Sequence, residues 1–77
     1  MVQAYILIQT EVGKAKQVAK SISDIPGVAQ VDAVTGPYDV IVLTEAETMD
    51  ELGDLVVSKV QSTPGITRTL TCSVIHV

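Results

Sequence analysis

Two short phrases recur in this chain, and their recurrence restricts its fold more than any other feature. Thr10-Glu11 is echoed by Thr44-Glu45, and Pro26-Gly27-Val28 is echoed by Pro64-Gly65-Ile66. Each Thr-Glu closes a run of β-branched and aliphatic residues. Each Pro-Gly closes a stretch whose apolar residues fall three and four apart. A chain that twice repeats strand, breaker, helix, breaker and strand consists of two βαβ units in tandem, and each crossover is expected to be right-handed.

Val2 to Thr10 is a β-branched and aliphatic run and predicts the first strand, which Glu11-Val12-Gly13 breaks. Ala15, Val18, Ala19, Ile22 and Ile25 keep helical spacing, with Lys14, Lys16, Gln17 and Lys20 on the other side. Ile25-Pro26-Gly27 stops that helix, because the residue before proline disfavours the α region and glycine accepts unusual dihedrals. Val28 to Thr35 predicts a second strand, Gly36-Pro37 a tight turn and Tyr38 to Thr44 a third strand. So short a connection pairs the two strands as a hairpin. Thr48-Met49-Asp50-Glu51 is a capping box, and the helix that follows places Met49, Leu52, Val56 and Val60 on one stripe. Ser62-Thr63-Pro64-Gly65 ends it, and Ile66 to Val77 predicts a long last strand. The order βαββαβ is the ferredoxin-like arrangement: an α+β domain with a four-stranded antiparallel sheet and both helices on one face.

The 77 residues are read as one domain spanning 1–77, with no linker or low-complexity tract. A chain this short buries only about 60% of its unfolded surface. Its single Cys72 cannot form an internal disulfide, which fits a reducing compartment. Self-association is the expected additional source of stability. Hydrophobic residues make up 47% of the chain, yet there is no Phe or Trp and there are two Tyr, so few rings are available to stack on bases. A formal net charge of -4 opposes binding to phosphate backbones. No apolar run approaches the ~20 residues of a membrane-spanning helix, and no basic amphipathic helix suggests a membrane surface. Residues 2–8 are interrupted by Gln3 and lack a basic segment or cleavage site, so no signal peptide is read. The expectation is a cytoplasmic protein that binds neither nucleic acid nor membrane directly.

The sheet face opposite the helices carries a second expectation. A face that meets water alternates with the buried one, apolar against polar. Tyr5-Ile6-Leu7-Ile8 and Val40-Ile41-Val42-Leu43 are apolar on both sides. Contiguous apolar surface of this kind marks an interaction site, so a homodimer is expected, sheet to sheet or edge to edge, in the manner of a dimeric α+β barrel. The competing account is strong β-propensity in a tight core.

Residues suited to catalysis are few. His76 stands one residue from the end of the sequence, where the fixed orientation a general base needs is seldom available. Cys72 has no basic neighbour in sequence to lower its pKa and is read as a small buried hydrophobe. Glu45, Glu47, Asp50, Glu51 and Asp54 surround the start of the second helix, where the dipole favours negative charge. No metal-ligand or phosphate-loop spacing is present. No catalytic residue, metal or cofactor is therefore assigned. One constellation remains: the turn Gly36-Pro37-Tyr38-Asp39, and Thr67, Thr69, Thr71 and Ser73 on one face of the last strand. An α-amino acid needs acceptors for its ammonium and donors for its carboxylate, and turn amides, a carboxylate and hydroxyls supply both. The plainer account is that Asp39 holds the turn and the threonines are ordinary strand residues.

These same residues carry a resemblance. Val34-Thr35-Gly36-Pro37-Tyr38-Asp39-Val40, then Leu52 through Val60, then Thr63-Pro64-Gly65-Ile66-Thr67-Arg68-Thr69-Leu70-Thr71, resemble the effector (RAM) domain of the Lrp/AsnC regulators across essentially the whole sequence. The resemblance implies dimers that assemble into octamers or similar rings and bind amino acids between subunits. It assigns the ligand's α-groups to the turn of Gly36, Pro37, Tyr38 and Asp39 and to Thr69 and Thr71. Pro37 removes one amide from that turn. The regulators carry a basic helix-turn-helix before this domain, whereas here Met1 leads straight into the first strand. The implied protein is a stand-alone module that modulates full-length relatives without binding DNA. Two other readings stand beside it: a small dimeric α+β-barrel enzyme of isomerase or monooxygenase type, using Asp39, Arg68 or His76, and a purely structural assembly partner.

Overall fold

Successive side chains of a strand point to opposite faces, and the first strand, β1 (Val2–Thr10), separates the two faces of this molecule. Ala4, Ile6 and Ile8 are completely buried, whereas the intervening Tyr5 is 46% exposed. The computed structural model describes residues 1–75. After β1 come α1 (Ala15–Ser23), β2 (Val28–Ala33), β3 (Val40–Ala46), a second helix α2 over residues 49–61, and β4 (Ile66–Ser73). The four strands form one antiparallel sheet in the order β2-β3-β1-β4. This is the ferredoxin-like α+β arrangement expected from the element order. Val18 and Ile22 of α1, and Val60 of α2, close over Ile6, Ile8, Val40 and Val42 to make the main core, and Leu52 and Val56 close over Ala4. Thr44 is the buried polar residue of that face, and its hydroxyl donates to the carbonyl of Ala4 at 2.8 Å.

The echoed phrases interlock the two halves. Gly27, after α1, has φ +95°, and a Cβ there would stand 2.5 Å from Val56 Cγ2 on α2. Gly65, after α2, has φ +94°, and its Cβ would stand 3.0 Å from Val18 Cγ2 on α1. Each turn is thus pressed against the helix of the other half, and only glycine suits both the dihedral and the space. The backbone completes the exchange: Glu45 N–H donates to the Gly27 carbonyl and Glu11 N–H to the Gly65 carbonyl, both at 2.8 Å.

Four elements differ from the sequence-based expectation. The β2–β3 hairpin closes earlier, with Val34 N–H donating to the Asp39 carbonyl at 2.9 Å. The loop therefore takes in Thr35 to Tyr38, because Pro37 has no N–H for a ladder and Gly36 sits at φ +143°. At its other end β3 continues to Ala46, held by pairing with Val2. The second helix starts at the expected cap, where Thr48 Oγ1 accepts the Glu51 N–H at 3.2 Å. It then changes type, running as α-helix over Met49–Glu51, π-helix over Leu52–Val57 and α-helix again over Ser58–Gln61. The Gly53 carbonyl accepts the Ser58 N–H, and Ser58 Oγ donates to it at 3.1 Å. The wider turns alter the phase between the helix start and its end. Leu52, Val56 and Val60 stay buried, but Met49, expected on the same stripe, is 54% exposed. Finally, β4 ends at Ser73, short of the expected Val77.

Candidate functional site

The ladder registers map the open face of the sheet residue by residue. Directly opposite residues share a face, so Leu70, Leu7, Ile41 and Asp32 form one row across the four strands. Cys72, Tyr5, Leu43 and Gln30 form the next. Arg68 and Gln9 flank these rows at one end, and Gln3 and Glu45 at the other. The centre is apolar and its margin polar, the pattern of an interface with a dry core and a wet rim. Tyr5 and Leu70 are 46% and 45% exposed. Side-chain hydrogen bonds agree with the assignment: Gln3 Nε2 donates to Glu45 Oε2 at 3.1 Å, and Gln30 Nε2 to Asp32 Oδ2 at 2.9 Å. Cys72, expected in the core, is exposed, because β4 is an edge strand and Cys72 faces away from the helices.

The turn residues gather at one end of the sheet. Gly36 and Pro37 are exposed, and Tyr38 and Asp39 are half-buried. Asp39 Oδ2 accepts the Thr10 N–H at 2.8 Å, with Thr10 Oγ1 at 3.4 Å, and the Asp39 N–H donates to the Ile8 carbonyl at 2.8 Å. Gln9 Nε2 donates to the Pro37 carbonyl at 2.9 Å. The hairpin is therefore clamped to the end of β1 by Gln9 and Thr10, two residues that sequence reasoning did not assign to the site. Nothing local marks them, since their partners lie 28 and 29 positions away. A Cβ on Gly36 would meet nothing within 4 Å, so the space beside the turn is open.

Thr69 and Thr71 are not brought to the turn within one chain. They pair with Ile8 and Ile6 on the far side of β1, on the helix-bearing face of the edge strand. Ser73 shares that face, but a register shift between Gln9 and Thr10 interrupts the pattern before Thr67. Thr71 is exposed, and Thr69 is half-buried with its Oγ1 accepting from Gln61 Nε2 at 3.4 Å.

Of the groups proposed for catalysis, Asp39 is half-buried in the turn. Arg68 is exposed on the open face opposite Gln9, and His76 lies outside the described residues. A cavity of about 340 Å³ lies at the other end of the sheet, lined by residues including Pro26, Gly27, Ala46 and Val56, and it contains none of the six expected site residues. Among the described residues no three His, Cys, Asp or Glu gather as a metal site, and no helix is long and apolar enough to cross a membrane.

The comparisons with known proteins fall on one family. The family model for the Lrp/AsnC ligand binding domain matches residues 3–77. An uncharacterised helix-turn-helix-type transcriptional regulator of Pyrococcus furiosus is 32% identical over 71 residues, covering 88% of this chain and 47% of that protein. The chain thus spans about half the length of the curated regulators it matches. A shorter stretch, 58 residues at 34% identity, matches 12% of a homocitrate synthase of Sulfurisphaera tokodaii. Among solved structures, a Thermus thermophilus protein superposes with a TM-score of 0.90 at 32% identity, over all of this chain and 96% of that one. A Neisseria meningitidis transcriptional regulator solved with L-Met shares the fold, with a TM-score of 0.82 at 22% identity, over 97% of this chain and 50% of that one. With its ferredoxin-like fold and a family match over nearly its whole length, the chain belongs to the Lrp/AsnC ligand-binding domain family.

Proposed function

We propose that this chain is an amino-acid-responsive assembly module, pairing with a second copy through its open sheet face and taking a free amino acid where subunits meet at the hairpin. The observation that carries the reading is the apolar centre of the open face, Tyr5, Leu7, Ile41, Leu43 and Leu70, within its polar margin. Four strands about 4.8 Å apart and roughly seven residues long make a face near 450 Å² in plan. A standard interface takes ~800 Å² from each partner, so the face supplies the larger part of one and its margins the rest.

The ligand site of this reading needs more than one subunit. In one chain Gly36, Pro37, Tyr38 and Asp39 flank β1 on one side, while Thr69 and Thr71 lie on its other side. A neighbouring dimer that sets its hairpin against β4 brings the two sets together and extends dimers into a ring such as an octamer. Since Pro37 has no amide and the Asp39 N–H is engaged by Ile8, the donors left in the turn for a carboxylate are the amides of Gly36 and Tyr38. Amino-acid specificity is supported by the L-Met named for the Neisseria regulator. With a formal net charge of -4, an effect on transcription runs through regulators that carry a helix-turn-helix half rather than through direct contact with DNA.

Isothermal titration of the intact oligomer with each common amino acid tests the proposal. One or a few are expected to bind, and silence from all of them at millimolar concentration overturns it. Asp39→Ala is expected to abolish binding while the oligomer persists. Thr10→Val, which loosens the clamp but keeps the carboxylate, is expected to bind with less than about tenfold loss.

A further inference from the structure

The cavity at the end of the sheet away from the hairpin has no part in the reading above, and its chemistry calls for a ligand of its own. We propose that it is a second binding site, taking a small aliphatic amine whose ammonium meets Glu47 and Glu51 and whose hydrocarbon body rests on Val56 and Ala46.

Both halves of the chain build the site. Pro26 reaches it from the turn after α1, Ala46 and Glu47 from the end of β3, and Glu51, Val56 and Lys59 from α2. Val56 is 3% exposed and Ala46 is half-buried, so they make an apolar floor, whereas Glu47, Glu51 and Lys59 are exposed at the rim. The π stretch of α2 helps to assemble it. In an uninterrupted α-helix Glu51 and Val56 would stand about 140° apart around the axis. A π turn closes from residue i to i+5 and draws such a pair toward one face, and π segments are frequent at functional sites. Ala46 and Val56 pack in the helix-bearing layer, so a second copy on the open face leaves the cavity free.

Floor and rim together select the occupant. The volume, about 340 Å³, is at the small end of ligand pockets, which run from about 300 to 1,000 Å³. A bare metal ion makes no use of an apolar floor, and among the described residues no three His, Cys, Asp or Glu gather to hold one. The body is therefore a hydrocarbon, and the acids set the charge of its head. Residues 45–54 hold five of the nine acidic residues and none of the five basic ones. A cleft with low-dielectric walls concentrates the field of the charges around it. Glu45 adds to that field at a distance, since its carboxylate accepts from Gln3 Nε2 on the open face. Lys59 is the one basic side chain of the lining among the described residues. An anionic head would face two carboxylates for one ammonium, whereas a cationic head finds the balance in its favour.

Titration of the full chain with 1-pentylamine, 1-pentanol and pentanoate at matched ionic strength keeps the body and changes the head. Amide chemical shifts locate the binding. Pentylamine is expected to give saturating shifts at Gly27, Ala46, Glu47 and Val56, with Gly36 at the hairpin unmoved. It is expected to bind about fivefold tighter than either of the others. Glu47→Gln combined with Glu51→Gln is expected to remove that preference. Lys59→Gln is expected to tighten pentylamine about twofold, because it takes away a like charge. All three side chains are exposed, so the variants should fold, and circular dichroism checks that they do. Shifts that never saturate, or that centre on Gly36, overturn the site. Equal binding of the three compounds, or weaker pentylamine binding by Lys59→Gln, overturns the assignment of a cation to it.

Discussion

Asp39 carries a double assignment at the scale of one residue. Its carboxylate was expected to receive a ligand's ammonium, and in the fold its Oδ2 accepts the Thr10 N–H at 2.8 Å. The two roles are compatible because a carboxylate has further lone pairs to offer, but they have different consequences. Removing the acceptor leaves the Thr10 amide to water and frees the hairpin from β1. Asp39→Ala is therefore expected to cost about 1–2 kcal/mol of stability, and Asp39→Asn, which keeps one carbonyl oxygen, less than about 1 kcal/mol. Urea titrations at a fixed protein concentration read both. An Asp39→Ala protein as stable as the parent would show that the clamp contributes nothing.

At the scale of elements, the reciprocal glycine turns hold the two βαβ units in register. Gly27→Ala forces a left-handed dihedral on alanine and drives a methyl to 2.5 Å from Val56 Cγ2 and 3.2 Å from the Glu45 carbonyl. The expected loss is about 2–4 kcal/mol, a large share of the stability of a small domain. Gly65→Ala meets only side-chain atoms, Val18 Cγ2 at 3.0 Å and Lys14 Cβ at 3.4 Å, which can give way. It is expected to lose about 1–2 kcal/mol, mostly from the dihedral. The ranking, checked by denaturant midpoints, is the sharper prediction than either value. At the start of α2, Thr48→Ala removes the side-chain acceptor of Glu51 N–H and is expected to lose about 1 kcal/mol by the same measurement.

For the whole molecule, stability and association are one quantity. A chain of 77 residues with Tyr5 and Leu70 nearly half exposed gains from covering them. Ligation of the folded state by a second copy raises the apparent stability with concentration. The melting temperature of the parent is expected to climb by several degrees across a hundredfold rise in concentration, and that of Leu70→Asp to stay flat. Differential scanning calorimetry at both ends of the range decides it. A flat response from the parent would mean that the open face stays uncovered.

Much of this protein was legible in its residues because local rules govern those parts. The β-branched and aliphatic run of β1, the cap at Thr48 and the Pro-Gly stops act over a few positions, and they located the strands, the helices and hence the βαββαβ order. The core stripe Leu52, Val56 and Val60 followed from helical spacing, whereas Met49 did not keep to it, since a π stretch changes the phase without a distinctive local pattern. The candidate site was legible only in its membership. Sequence singled out Asp39, Thr69 and Thr71, but whether they meet depends on ladder registers and on which face each strand turns outward. Those are set by pairings between residues dozens of positions apart. The same holds for Cys72, small and apolar enough for a core but placed on an edge strand facing out. The sequence by itself determined the elements and their order, through short-range backbone preference and side-chain period. Tertiary structure alone decided which side chains share a row, because register is a collective property of the assembled sheet.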